Sequence, residues 1–301
     1  MAADSRLRRF VKRVLFHSSE GCYRFAQACA MAWDIRSGAW SEPEIELIPA
    51  AVHAGDWVLD VGANFGMYSY HLSRAVGTNG LVYAFEPVAW TRSIFNLVCR
   101  LLRMRNIRLA PLACGDRKGT ALMRIPLQQA GSVSAGLAQL IHGTVAPVDP
   151  LPCREIQVEI TRLDDYFDDF AGRKAEFSFI KCDVEGAELL VMLGASRLIK
   201  RCNPTVVCEI VASHLATLGG SIHELVRFFC ERGYQLYLFE HAQNPPRLLR
   251  IDTTAVTAGT DNYIFIHPSR LARFSDFLGA EDDSPKPTGA YSVATITDVD
   301  S

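Results

Sequence analysis

Between residues 56 and 266, short apolar runs alternate with helix-periodic stretches, and this rhythm constrains the fold more than any other feature. The runs at 57–61, 81–85, 107–114, 177–182, 205–210, 234–239 and 262–266 read as strands. The stretches at 67–76, 90–103, 187–201 and 222–232 read as helices. Strands separated by helices pair in parallel, and a parallel sheet must be covered on both faces. The expected fold is therefore α/β: a mostly parallel, Rossmann-like, seven-stranded sheet with helices on both faces.

Three regions lie outside this rhythm. Residues 1–48 read as an N-terminal helical extension. Its first part sets Arg6, Arg8, Arg9, Lys12 and Arg13 beside Leu7, Phe10, Val11, Val14 and Leu15, a basic amphipathic helix. Its apolar stripe packs on the main domain, with membrane-surface docking and a mitochondrial presequence as alternatives; Asp4 and the low serine content weigh against the last. Within the main domain, residues 49–270, the segment 119–158 is rich in glycine, serine and proline and reads as a long loop, a lid or substrate-binding insert. Residues 280–301 are acidic and poor in large apolar side chains, as in a disordered tail.

Composition excludes several classes. With a formal net charge of -2 over 301 residues, there is no excess of positive charge to neutralise phosphates, so a nucleic-acid partner is not expected. Nine cysteines without a CxxC pair read as reduced, mostly buried thiols of a cytoplasmic protein, and no metal site is expected. No apolar run approaches the length of a membrane span. The sequence is silent on oligomeric state.

The first strand runs directly into Gly62-Ala63-Asn64-Phe65-Gly66 and then into a helix. Glycines in such a turn let the backbone pass close to a ligand at the carboxyl end of the sheet. A dinucleotide fingerprint would need glycine at positions 64 and 67, where Asn64 and Met67 stand. Asp60, two residues before the turn, would repel a pyrophosphate but suits a cofactor bearing a sulfonium and an ammonium group. Glu86, at the tip of the second strand, is placed to accept both hydroxyls of a ribose. Asp116, after the third strand, either accepts from an adenine amino group or is a plain turn aspartate.

Farther along, Asp183-Val184-Glu185-Gly186-Ala187-Glu188 follows an apolar strand. Asp183 and Glu185 are expected at the sheet edge, Glu185 alternatively as a helix-capping acid, and Glu188 in the first helical turn, where negative charge favours the dipole. Glu209 lies inside another apolar strand, where a carboxylate is costly without a partner, and His214 follows it.

These segments resemble the FkbM family of S-adenosylmethionine-dependent methyltransferases. The resemblance is carried by Asp60 to Ser69, by Ala84-Phe85-Glu86-Pro87, by Ile180 to Glu188, by Cys208-Glu209-Ile210 and by Asn262-Tyr263-Ile264-Phe265. Upstream, Trp40-Ser41-Glu42-Pro43-Glu44 resembles the family's lead-in, and Thr161 to Asp165 its Thr-Leu-Asp-Asp stretch, with Arg162 inserted. Cys182 also departs from the aliphatic or small residue usual there. The resemblance covers residues 38–268 and implies a class I methyltransferase fold, S-adenosylmethionine as cofactor and O-methylation of a hydroxyl on a small molecule, a sugar or secondary metabolite. It implies that Asp60, Gly62, Asn64 and Gly66 line the methionine part, that Glu86 binds the ribose, and that Asp183 faces the methyl group. A hydroxyl acceptor must lose its proton, with Asp183 as the first candidate base and Glu209 and His214 behind it. In a variant, Asp183 and Glu209 chelate magnesium. The alternatives are a nicotinamide-dependent oxidoreductase on the same architecture and a non-catalytic cofactor-binding scaffold.

Overall fold

A computed structural model of the chain describes residues 20–126, 139–141, 153–168, 176–253, 256 and 260–278; the basic stretch 6–13 and the tail 280–301 lie outside them. The described part begins with α1 (Glu20–Ser37), a 3-10 turn (Pro43–Leu47) and α2 (Ile48–Ala51). There follow β1 (Trp57–Val61), α3 (Met67–Val76), β2 (Leu81–Phe85), α4 (Ala89–Leu101) and β3 (Ile107–Ala110). A second group comprises β4 (Ala113–Cys114), β5 (Gly119–Pro126), β6 (Gln139–Ile141), β7 (Cys153–Thr161) and α5 (Leu163–Tyr166). Then come β8 (Phe177–Cys182), α6 (Glu188–Gly194), α7 (Ser196–Cys202), β9 (Thr205–Val211), α8 (Ala212–Thr217) and α9 (Ile222–Cys230). The last elements are β10 (Gln235–Glu240), β11 (Arg247–Arg250), β12 (Thr260–Ile266) and a 3-10 helix (Pro268–Phe277).

The main sheet has the order β11-β10-β12-β9-β8-β1-β2-β3. Pairings from β9 through β3 are parallel, and β12 and β11 run against the rest. Residue alternation sorts its side chains into two cores. Val58, Val82, Phe179 and Val207 pack with α1, α3 and α4 on one face. Leu59, Val61, Ile180 and Val206 pack with α6, α7 and α9 on the other. That two-sided burial is what the continuous apolar runs require. No described helix is long and apolar enough to cross a membrane.

Four expectations are corrected. The main sheet has eight strands rather than seven, because β11 folds back antiparallel on β10. The run 107–114 is two strands: β3 stays in the main sheet, while β4 joins a second sheet of order β4-β7-β5-β6. The segment 119–158 is therefore not simply a loop. β5 and β7 form a long antiparallel pair, and Met123, Ile125 and Val158 bury against Val88 and Ala113. The stretch 187–201 is two helices; they meet at Gly194, where a Cβ would lie 2.0 Å from the Gly115 carbonyl oxygen. Of the cysteines, Cys114, Cys182 and Cys208 are buried, whereas Cys22, Cys29 and Cys230 are exposed.

Candidate active site

Strand register assembles the site. Val61, Phe85, Cys182 and Cys208 are register partners across β2, β1, β8 and β9. The next residue on each strand is Gly62, Glu86, Asp183 or Glu209, so these four form one row at the carboxyl edge of the sheet. Asn262 joins it from β12, opposite Glu209. Two rows earlier, Asp60 on β1 is paired with Lys181 on β8.

The glycine turn is built by the protein's own packing. Gly62 has φ +81° and Gly66 φ +92°, conformations that favour glycine. A Cβ on Gly62 would lie 1.7 Å from the Asp183 carbonyl oxygen, and one on Gly66 2.2 Å from the Phe95 ring. Within the protein, glycine is demanded at these positions by the residue that follows β8 and by α4. The amides of Gly62 and Ala63 both donate to the Phe85 carbonyl at 3.0 Å, tying the turn to β2.

Glu86 is buried and accepts from the Asn64 and Val88 amides, at 3.1 and 2.8 Å, one on each carboxylate oxygen. Burial pushes it up to about 8, against those two hydrogen bonds. It borders a cleft of about 560 Å³ whose walls include Val88, Leu112, Cys114, Met123 and Asp183. Asp116 does not line this cleft. The chain turns at Gly115, whose amide is bonded to the Thr161 carbonyl, and leads Asp116 toward the second sheet.

A second cavity, about 310 Å³, adjoins the cleft through Gly62, Asn64 and Asp183, and is walled by Trp40, Asp60, Tyr68 and Lys181. Asp60 is buried and accepts from Ser69 Oγ at 2.5 Å; burial raises it to about 6, and the Ser69 bond and Lys181 oppose the rise. Lys181 is fully buried. Its Nζ donates to Asn262 Oδ1 at 2.8 Å, lies 3.6 Å from Glu42 Oε2, and sits 4.8 Å from the Tyr68 ring centroid. Burial alone would lower its pKa, yet Asp183, Glu42, Glu209 and Glu44 together hold it above the ordinary value. Tyr68 and Asn262 both donate to Glu42 Oε2, and Asn262 also to Glu44. Sequence reasoning missed Lys181, Glu42, Tyr68 and Asn262 as one network. The available signal was a lysine inside the apolar strand Phe177–Cys182, which must find anionic partners if buried.

Beyond β8, Asp183 is half-buried, and burial pushes it up to about 7; Lys181 opposes the rise, and the nearby Glu209 carboxylate adds to it. Glu185 takes a left-handed conformation, φ +56°, and also borders the cleft. Burial, with Asp183, Glu209 and Glu188 nearby, raises it to about 8. Glu188 opens α6 as expected and accepts the amides of Val184 and Gly186. His214, on α8, places Nδ1 2.9 Å from Glu185 Oε2, close but not aligned as a hydrogen bond. The structure therefore brings Asp60, Gly62, Asn64, Glu86, Asp183 and Glu209 to one edge and holds His214 behind Glu185. Gly66 caps α3 outside both cavities.

The sequence matches the Methyltransferase FkbM domain over residues 60–236, more than half of the chain. The chain belongs to the FkbM family of S-adenosylmethionine-dependent methyltransferases. Among solved structures it is similar to methyltransferase FkbM from Methylobacillus flagellatus KT, at 18% identity and TM-score 0.43, over 71% of this chain and 44% of that one. It thus spans less than half of that relative's length. It is also similar to the O-methyltransferase TomG from Streptomyces achromogenes, at 11% identity and TM-score 0.43, over 80% of this chain and 89% of that one. A third is Aeropyrum pernix fibrillarin, at 14% identity and TM-score 0.36, over 71% and 67% of the two chains. No curated protein matches the chain.

Family membership sets aside the nicotinamide-dependent oxidoreductase. The residues fit the methyl donor of an FkbM protein. Each Glu86 oxygen has acceptor capacity left for a ribose hydroxyl. Asn64 Oδ1 is enclosed without a hydrogen-bond partner at the junction of cleft and cavity, where a donor group is called for. Asp183 lines both spaces and Asp60 the second, carboxyl groups of a kind that suits a sulfonium and an ammonium. Among the described residues, no group of three or more His, Cys, Asp or Glu is arranged to hold a metal ion.

Proposed function

We propose that this FkbM protein methylates a hydroxyl of a small molecule, a sugar or a secondary metabolite, with Asp183 as the base. The observation that carries this reading is the position of Asp183, which borders both the cleft and the adjoining cavity in the strand-end row that contains Glu86. S-Adenosylmethionine, when bound, supplies an electrophilic methyl group on a sulfonium. Glu86 holds the ribose, Asn64 and Asp60 the amino-acid end, and the residues around Asp183 hold the acceptor oxygen in line while excluding water. A carboxylate raised to about 7 combines a useful ionised fraction with the basicity to take a hydroxyl proton. Glu209, next to Asp183 in the strand-end row, adds to the rise and so to the basicity of Asp183.

The small acceptor is supported by charge: a chain of net charge -2 with carboxylates around the site repels a polyanion. Lys181 favours the base over the magnesium variant, because a buried ammonium already compensates Asp183 and Glu209. The test is Asp183→Asn, with S-adenosylhomocysteine formation followed over a panel of sugar and phenolic hydroxyls. Turnover should fall by about 10²-fold or more, while calorimetric binding of S-adenosylhomocysteine stays within a few-fold. Full activity in the variant would refute the base. Failure of the wild-type chain to bind either form of the cofactor would favour the scaffold. Loss of turnover on chelation, restored by magnesium, would favour the metal variant.

A further inference from the structure

We propose that Glu185 and His214 form the exit for the proton released on methyl transfer, leading from the strand-end carboxylates to solvent. The proposal rests on the hydroxyl-methylation reading above. It begins with a backbone that is expensive to hold: Glu185 is a non-glycine residue at φ +56°. Two contacts fix it there. Glu188 Oε1 accepts the amides on either side, Val184 at 3.2 Å and Gly186 at 3.1 Å. Gly186 is also packed on α8 so closely that a Cβ would lie 2.5 Å from the His214 carbonyl oxygen. The turn is thereby clamped to the backbone of the histidine that its carboxylate faces.

The side chains complete the route. Glu185 borders the cleft beside Asp183. Its Oε2 lies 2.9 Å from His214 Nδ1, which is enclosed, while the histidine side chain as a whole is 28% exposed. One edge of the ring therefore meets a buried carboxyl and another part meets water. Burial holds Glu185 up and His214 down, so both neutral forms are favoured near neutrality with a single proton for the pair to share. The charged groups around them are Asp183, Glu209 and Glu188 at Glu185, with Lys181 behind Asp183 and Glu209.

The chemistry balances. As the methyl–oxygen bond forms and the methyl–sulfur bond breaks, the hydroxyl proton passes to Asp183. Glu185, neutral at the start, passes its proton to His214 Nδ1 as the imidazole loses one from Nε2 to water, and the proton on Asp183 then refills Glu185 and restores the charge on Asp183. His214 is thus a positioning and relay residue behind the base, which revises its expected place as an alternative base.

The test is a ¹⁵N-histidine NMR titration of the full chain saturated with S-adenosylhomocysteine, in the wild type and in Glu185→Gln. In the wild type, the His214 nitrogens should record two steps, a lower one and one near pH 8 shared with Glu185. In Glu185→Gln the upper step should vanish. In the acceptor assay, His214→Ala should slow turnover about tenfold with cofactor binding unchanged, and imidazole should restore it. A single His214 step identical in both proteins, or a turnover loss that imidazole does not restore, would overturn the relay. Absence of S-adenosylhomocysteine binding would instead overturn the methyltransferase reading on which it rests.

Discussion

Replacing Gly62 by alanine separates the cost of backbone conformation from the cost of close packing, because Gly38 is its natural control. Both glycines are left-handed, at φ +81° and φ +74°, but a Cβ on Gly38 meets nothing within 4 Å, whereas one on Gly62 would lie 1.7 Å from the Asp183 carbonyl oxygen. A left-handed alanine costs roughly 1–2 kcal/mol, and lost freedom of the unfolded chain returns about 0.4–1 kcal/mol. Gly38→Ala should therefore destabilise by roughly 0–1.6 kcal/mol. At Gly62 the carbonyl is backbone and cannot swing aside. The carboxyl ends of β1 and β8 must separate, with an overpacking penalty of about 1–3 kcal/mol. The 3.0 Å bond from the Asp183 amide to the Val61 carbonyl is lost as well, for about 1 kcal/mol. Gly62→Ala should thus lose roughly 3–5 kcal/mol in urea unfolding, and its folded form should bind S-adenosylhomocysteine at least tenfold more weakly because Asp183 has moved. Equal losses in the two variants would refute the packing argument.

Two further predictions concern buried charge. Burial raises Glu86 from 4.5 to about 8, so the folded state retains a proton that the unfolded state gives up, and stability should fall as pH rises through that window. Glu86→Gln should make this fall shallower, leaving the part due to Asp60, Asp183 and Glu185, at a pH-independent loss of about 1 kcal/mol for one of the two amide bonds, and should weaken S-adenosylhomocysteine binding; a variant with the wild-type pH slope in urea titrations would refute it. Lys181→Met leaves Glu42, Glu44 and Asp183 without their cation and should cost about 3–5 kcal/mol at pH 8. The loss should shrink at pH 5, where Asp183, raised by burial to about 7, takes up a proton; urea unfolding giving equal losses at both pH values would contradict the electrostatic account.

Much of this protein was legible in one dimension. Alternation of apolar runs with helix-periodic stretches dictates the parallel sheet, because each run must be buried on both faces. Residues at strand ends could be read as site residues because parallel strands deliver their carboxyl ends to one edge; Asp60, Glu86, Asp183 and Glu209 all lie there. Local pattern failed where pairing is non-local. The strands β5 and β7 were hidden in glycine- and proline-bearing sequence, since their buried positions exist only once Met123, Ile125 and Val158 meet Val88 and Ala113. Asp116 could not be placed, because Gly115 commits to a bond with the distant Thr161.

The glycine turn shows the same division. From sequence it announces a turn where a ligand belongs. The identity of the atoms that exclude a Cβ, the Asp183 carbonyl and the Phe95 ring, was decided by tertiary packing alone. So was the role of Lys181, 81 residues from Asn262 and farther from Glu42 in sequence. A lone charge in a strand has no meaning until folding brings its counter-charges within reach, because Coulomb attraction acts through space and not along the chain.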